Sequence, residues 1–192
     1  RLSEVSIPLP PLRDRPGDAT VMAHAFLGRY GAEQGMPRPG FTPEAIADAL
    51  GDDVTAVALS LVDYRTGALA DLAGIRAVIG DRLLIVDAVQ AFGVVDVDWS
   101  LADVVTGNGY KWLRAGRGTG FARFSPAARA RIAPVLSGIS GMAGDASVLG
   151  TPPALEGAAA YSVSPSDPLA AARLAPALPE TLDAGTPAIA AD

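Results

Sequence analysis

The stretch Leu83-Leu84-Ile85-Val86-Asp87-Ala88-Val89-Gln90-Ala91 decides how the chain folds. Its first four residues are all apolar and leave no polar face, which suits a strand buried on both sides, as strands of a parallel sheet are. The run ends at Asp87. A strand-terminal Asp is more often a turn former or helix cap than a functional group. In an open parallel sheet, however, the carboxyl ends of the strands are where ligands bind, so Asp87 is a candidate for both roles.

Working outward, Val54 to Val62 is a second nearly continuous apolar run and reads as the preceding strand. Between the two, Leu69, Leu72, Ile75 and Ile79 recur at helical spacing, and Gly80 stops that helix. Downstream, Asp103-Val104-Val105-Thr106 is a short third strand, ending just before Gly107-Asn108-Gly109-Tyr110-Lys111. Thr119 to Phe124 reads as a fourth. Thr42-Pro43-Glu44 opens a helix to about Leu50, Ser125-Pro126 one to about Leu136, and Asp167-Pro168 one to about Leu178. Strands alternating with helices predict an α/β domain with a mostly parallel sheet and flanking helices. Residues 137–160 are rich in Gly, Ala and Ser and read as a loop. Near the start, Val5-Ser6-Ile7 suits a short strand, and Asp18 caps a helix through about Tyr30.

Composition narrows the function. The chain has 192 residues, 49% of them hydrophobic and 19% charged, with a net charge of −6. That is enough for one domain with a proper core, and there is no basic footprint for nucleic acid. Cysteine is absent and His24 is the sole imidazole, which excludes thiolate chemistry and multi-histidine metal sites. No apolar run approaches the roughly 18 residues that a membrane crossing takes, and a soluble cytoplasmic protein is the expectation. The first residue is Arg1 rather than Met, which points to a fragment. Among 15 basic residues only Lys111 is a lysine.

A lone lysine is in most proteins a solvated surface group. Here it lies just past one strand end, and Asp87 ends another, so the carboxylate and the only side-chain amine are expected on one rim. An amine partly shielded by apolar neighbours such as Tyr110 and Trp112 can condense with an aldehyde. A carboxylate on the same rim can hold a proton on a pyridine nitrogen. Together they suggest pyridoxal 5'-phosphate (PLP).

Three segments, Leu61-Val62-Asp63-Tyr64-Arg65-Thr66-Gly67, Ile85-Val86-Asp87-Ala88-Val89-Gln90-Ala91 and Gly107-Asn108-Gly109-Tyr110-Lys111-Trp112-Leu113, closely resemble the class V aminotransferase superfamily of fold type I. This group includes cysteine desulfurases and kynureninases, and the resemblance covers about residues 42–180. It implies that Lys111 forms the Schiff base with PLP, that Asp87 pairs with the pyridine nitrogen, and that Gln90 hydrogen-bonds the phenolic oxygen. It also implies that Tyr110 lies near the cofactor phosphate and that Arg65 and Thr66 lie in a loop close to the ring. The Tyr-Arg-Thr-Gly and Gly-Tyr-Lys elements look most like the kynureninase side, although Asp63 stands where kynureninases carry an asparagine. A homodimer acting on a small amino-acid substrate is expected by the same resemblance.

Residues 1–40 resemble another family. Arg1-Leu2-Ser3-Glu4-Val5, the segment Leu9 to Asp18 and the helix through Phe26 look like the core-to-lid region of the AAA+ ATPase domain of bacterial enhancer-binding activators. Walker motifs and the lid's sensor arginine are absent, so ATP hydrolysis is not expected. The organisation expected is a short, mostly helical AAA+-like segment over 1–40, a partial PLP-dependent large domain over 41–180, and a tail over 181–192. The expected function is that of a PLP enzyme fragment of the carbon–sulfur lyase, desulfurase or aminotransferase kind, which truncation could leave inactive. The alternative is a non-catalytic fragment of an AAA+ transcription activator.

Overall fold

The structure, a computed structural model, describes residues 42–144, 150 and 152–185. The chain divides into two compact units, Arg1–Gly40 and Phe41–Asp192, and every described residue belongs to the second. The readings made for residues 1–40, among them the Val5-Ser6-Ile7 strand, the helix through Tyr30 and the exposure of His24, lie outside the described residues.

Helix α1, Pro43–Ala49, begins where Thr42 caps it, its hydroxyl accepting the Ala45 amide at 3.3 Å. Strand β1 spans Ala56–Ser60, and α2 spans Leu72–Ile79. The Asp71 side chain accepts the Gly74 amide to start α2, and Gly80, at φ 59°, ends it. Strand β2, Leu83–Asp87, is followed by a turn and a single 3-10 turn, Trp99–Leu101, before β3, Val104–Asn108. Strand β4 is Gly120–Phe124, and helices α3, Pro126–Arg131, and α4, Pro168–Ala184, complete the order.

The strands form one sheet in sequence order. Ala56 to Ser60 pair in parallel with Leu83 to Asp87, and Ile85 to Asp87 in parallel with Val104 to Thr106. Strand β4 runs antiparallel to β3, from Val104 opposite Phe124 to Asn108 opposite Gly120. Three parallel strands and an antiparallel edge agree with the expected α/β architecture.

Side-chain alternation divides the sheet. Leu59, Leu84, Val86 and Val105 point to the face covered by Leu72, Ile75 and Ile79 of α2. Full burial of each large aliphatic contributes about 1.5–3 kcal/mol. On the other face Leu83 and Val104 pack with Ala128 of α3. Nearer the carboxyl ends that second face is open, and Ala58, Ser60 and Ala122 are exposed. The two-sided burial read from the sequence therefore holds for β2 but not for the end of β1.

The amino ends of the strands are tied by a polar network. Arg76 on α2 donates to Leu101 O at 2.8 Å, to Arg82 O at 2.9 Å, and to the Asp103 carboxylate at 2.6 Å. The same carboxylate accepts the Leu84 amide at 2.9 Å and the Ser125 hydroxyl at 3.0 Å. Burial alone would raise the Asp103 carboxyl, but the Leu84 amide, Arg76 and Ser125 together hold it below the usual carboxylate range.

Three expectations are corrected. Helix α3 stops at Arg131 rather than near Leu136, because Pro134 disfavours helical backbone at Ala133 and brings no amide. Helix α4 continues past Leu178 to Ala184, with Pro176 and Pro179 at exposed positions where water can serve the carbonyls left without amide partners. The segment read as a loop over 137–160 holds two 3-10 turns, Ile139–Gly141 and Gly157–Tyr161, and a bridge between Met142 and Ala154. Its glycine content reflects close backbone contact, since a Cβ on Gly141 would lie 2.9 Å from Ser162 O. Tyr161 anchors the segment by stacking on Phe124 at 4.3 Å between centroids and donating its hydroxyl to Ile132 O at 2.6 Å.

No helix among the described residues is long and apolar enough to cross a membrane.

Candidate functional site

Because β1, β2 and β3 are parallel, their carboxyl ends share one edge, and three turns leave it. Ser60 is the register partner of Asp87, and Asp87 of Thr106, so the three side chains stand in a row on the open face. The Asp87 carboxylate is half-buried. It accepts the Ser60 hydroxyl at 3.3 Å and, through its other oxygen, the Val89 amide at 2.8 Å. The second bond is a local turn that bends the chain out of the strand. Ala88 N donating to Thr106 O at 2.8 Å keeps the bend against β3.

The second turn follows β3. The Asn108 side chain accepts the Lys111 amide at 3.1 Å, Arg114 N donates to Lys111 O at 3.1 Å, and Ala115 N donates to Gly109 O at 2.6 Å. Gly109 is required here, because a Cβ would collide with Thr119 Oγ1 and lie 2.8 Å from Thr119 Cβ. Leu113 and Ala115 turn inward and pack with Ala177 and Leu174 of α4 and with Phe92 from the turn after Asp87. Trp112 Nε1 donates to Gln90 O at 2.9 Å. The Asp87 to Gln90 turn and the Lys111 turn are thus joined directly, with α4 packed on the second.

Lys111 itself is exposed. Its ammonium lies 5.6 Å from the Tyr110 ring centroid, and it makes no hydrogen bond or ion pair among the described residues. Arg117 lies over the same ring at 5.4 Å. The shielding expected from Tyr110 and Trp112 is not found, since each is 42% exposed. The inward positions of this turn are taken by Leu113 and Ala115 instead.

The third turn carries Arg65 and Thr66. It is pinned to the same edge by Leu61 N donating to Asp87 O at 3.0 Å. One Asp63 oxygen accepts the Arg65 and Thr66 amides, each at 2.9 Å, and the Thr66 hydroxyl at 3.1 Å. Asp63 therefore builds the turn. Arg65 and Thr66 make no hydrogen bond to Asp87, Gln90 or Lys111.

Sequence reading missed the roles of Ser60 and Asn108, and it took Trp112 for a shield of Lys111 where its indole donates to Gln90 O. Asn108 had a signal, because an Asn three residues before an amide in a glycine-flanked turn is a side-chain turn former. Ser60 had none, since its proximity to Asp87 depends on the register of two strands 27 residues apart. No group of three or more His, Cys, Asp or Glu that could hold a metal ion occurs among the described residues.

No protein-family model matches the chain. Over 39 residues, covering 20% of this chain and 8% of the relative, it is 46% identical to the HTH-type transcriptional regulatory protein TyrR of Citrobacter braakii. Among solved structures it is similar to the cystine C-S lyase C-DES in complex with its reaction product cysteine persulfide, at 27% identity and a TM-score of 0.65. That match covers 75% of this chain and 40% of the lyase. A variant of C-DES with glycine covalently linked to its PLP cofactor matches at 26% identity and a TM-score of 0.66, over 77% of this chain and 40% of the variant. The apo cysteine desulfurase of Thermococcus onnurineus matches in fold at 18% identity and a TM-score of 0.65, over 83% of this chain and 42% of the desulfurase. The chain thus spans about two fifths of these neighbours' length, 40% to 42%. Its structural neighbours are PLP-dependent enzymes of the cysteine desulfurase and aminotransferase kind, and its fold resembles part of a fold type I large domain.

Proposed function

We propose that residues 41–180 are part of the large domain of a PLP-dependent enzyme acting on an amino acid, with Lys111 as the residue that takes the cofactor covalently. What supports the reading is that β2 ends at Asp87 and the adjacent parallel β3 ends three residues before Lys111, in a fold similar to that of C-DES. The residues suit the group. Ala58, Ser60, Thr106 and Ala122 are small and leave the face beside Asp87 uncovered by bulky side chains, as a flat ring requires. Lys111 is a primary amine with no hydrogen-bond or ion-pair partner among the described residues, and each Asp87 oxygen has acceptor capacity beyond its one bond.

Bound PLP supplies an electron sink for charge developing at the substrate's α-carbon. Asp87, oriented by Ser60 and Val89, would hold a proton on the ring nitrogen, and Gln90 would donate to the ring oxygen. Tyr110 would serve the phosphate, and Arg65 and Thr66, in the turn after β1, would serve the ring. Lys111 would hold the cofactor and supply the amine that moves a proton at the α-carbon. Carbon–sulfur cleavage is preferred over amino transfer, on the likeness to the cystine lyase. A kynureninase reaction is less favoured, because Asp63 is engaged in building its own turn. The working protein is a cytoplasmic homodimer, and the chain binds no nucleic acid.

The test is to add PLP to the full chain and follow the visible band, its trapping by borohydride and the Lys111→Arg control. A band that disappears in the variant supports the reading, and no Lys111-dependent band overturns it.

A second reading rests on the 39-residue likeness to TyrR, in which residues 1–40 derive from an AAA+ activator and the chain is a non-catalytic fragment. ATP-dependent oligomerisation of the full chain would favour it.

A further inference from the structure

Arg173, on α4, lies 62 positions beyond Lys111 in the chain and yet holds the loop that presents it. Its Nε donates to Ala115 O at 3.2 Å and its Nη2 to Arg117 O at 3.1 Å. Both acceptors belong to the loop of residues 109–119 that joins β3 to β4. Between them is Gly116, at φ 81°, where a Cβ would stand 3.2 Å from Arg173 Nε. The bare glycine lets the guanidinium lie against the main chain, and its planar fork meets the two carbonyls with two separate nitrogens held in fixed geometry, where an ammonium has one.

Inside the same loop, Thr119 Oγ1 donates to Gly116 O at 2.6 Å, and Ala115 N donates to Gly109 O. Gly109 N donates to Thr119 O at 3.1 Å. These bonds close the loop on itself. Arg173 is the polar group from outside that fastens it to the helix, and Leu113, Ala115 and Ala177 are the apolar contact beneath. The Lys111 side chain is exposed and makes no hydrogen bond or ion pair among the described residues, so the position of its ammonium depends on the main chain that carries it.

We infer that Arg173 is a positioning residue for Lys111: by bridging the carbonyls of Ala115 and Arg117 it fixes the 109–119 loop so that the only lysine is presented in one place. The inference rests on the PLP reading above. Arg173 touches neither cofactor nor substrate, and acts through the loop alone.

The test compares the full chain with Arg173→Met, Arg173→Lys and Gly116→Ala, the last displacing the guanidinium from the loop side. Two readouts are taken, amide hydrogen exchange without cofactor and PLP affinity from the Lys111-dependent band. Charged hydrogen bonds of this kind correspond to about a ten-fold change in an equilibrium. Arg173→Met is therefore expected to speed exchange at the Gly109 and Ala115 amides about ten-fold while Leu84, Val86 and Val105 keep their protection. PLP affinity falls by a similar factor, and Arg173→Lys, which keeps the charge but replaces the two donating nitrogens with one, lies between.

Unchanged exchange at Gly109 and Ala115 overturns the clasp. Loss of protection across the whole sheet makes Arg173 a general stability residue and overturns its positioning role, as does a loosened loop with undiminished PLP affinity. If Arg173→Met does not fold, Arg173→Lys and Gly116→Ala decide by the same readouts. A parent chain with no Lys111-dependent band overturns the PLP reading and with it the positioning of Lys111 for the cofactor. The exchange data then still report separately whether the clasp exists.

Discussion

At the amino edge of the sheet the Asp103 carboxylate is filled by the Arg76 guanidinium, the Leu84 amide and the Ser125 hydroxyl, whereas at the carboxyl edge Asp87 has one amide and one long hydroxyl contact. The cations differ in the same way. Arg76 serves three carbonyls besides Asp103, and Arg82 donates to Val54 O and Gly51 O. The Lys111 ammonium, among the described residues, meets only the face of a tyrosine ring. Polar groups whose bonds are completed within the chain hold a fold together. Those left with capacity are available to a ligand, at little cost while they face water.

The comparison breaks first if Asp103 proves dispensable. Asp103→Ala leaves Arg76 and the Leu84 amide without their partner, and a loss of roughly 3 kcal/mol is expected in urea unfolding. Folding lowers the Asp103 carboxyl, so the unfolded chain binds its proton more readily. The stability it supplies is therefore complete above the unfolded carboxylate value of about 3.9 and is lost as pH falls through the lower folded one. The deficit of Asp103→Asn, followed by denaturant titration from neutral to acid pH, should be constant near neutrality and shrink below that value.

Next in size is Gly109→Ala. It forces a Cβ against Thr119 and within 3.1 Å of Leu174 Cδ1, at an expected cost of about 1–3 kcal/mol in the same assay. At the carboxyl edge, Asp87→Asn and Lys111→Arg should each move the urea midpoint by less than the equivalent of about 0.5 kcal/mol while weakening or abolishing the PLP band. A large stability loss from either would erase the contrast between the edges. The smallest effect is reserved for Ser60→Ala, whose 3.3 Å bond is long. Its removal should leave stability unchanged and weaken PLP binding about three-fold, read from the band titration.

How far the sequence could be read follows the same division. The strands and the end of β2 at Asp87 were legible because apolar runs and a terminal Asp are local patterns, and so were the Thr42, Ser125 and Asp167 caps, whereas β1 stops two residues short of Val62 and β3 runs two past Thr106. Asp87 and Lys111 could be assigned to one edge because parallel strands share their direction. The row of Ser60 beside Asp87 beside Thr106 could not be read, since it depends on register between strands. Nor could the fastening of the Lys111 turn by α4, which comes from a helix remote in sequence. The ends of α3 and α4 were misjudged because proline was weighed only locally. The effect of Pro134 was missed, and the helix that runs on through Pro179 to Ala184, where that proline is exposed to solvent, was read as ending near Leu178.

The antiparallel turn of β4 has a kinetic consequence. The hairpin of β3 and β4 brings together residues close in the chain, and such contacts close within microseconds in isolated hairpins. The Ser60 and Asp87 pairing waits instead on a crossover that includes all of α2, and non-local parallel contacts form more slowly. The two halves of the site are therefore expected to form in sequence, the amine-bearing turn before the carboxylate acquires its neighbour. Pulse-labelled exchange during refolding would detect the order as protection at Gly109 and Gly107, whose amides face β4, ahead of Leu61. Simultaneous protection would mean that the sheet condenses as one unit.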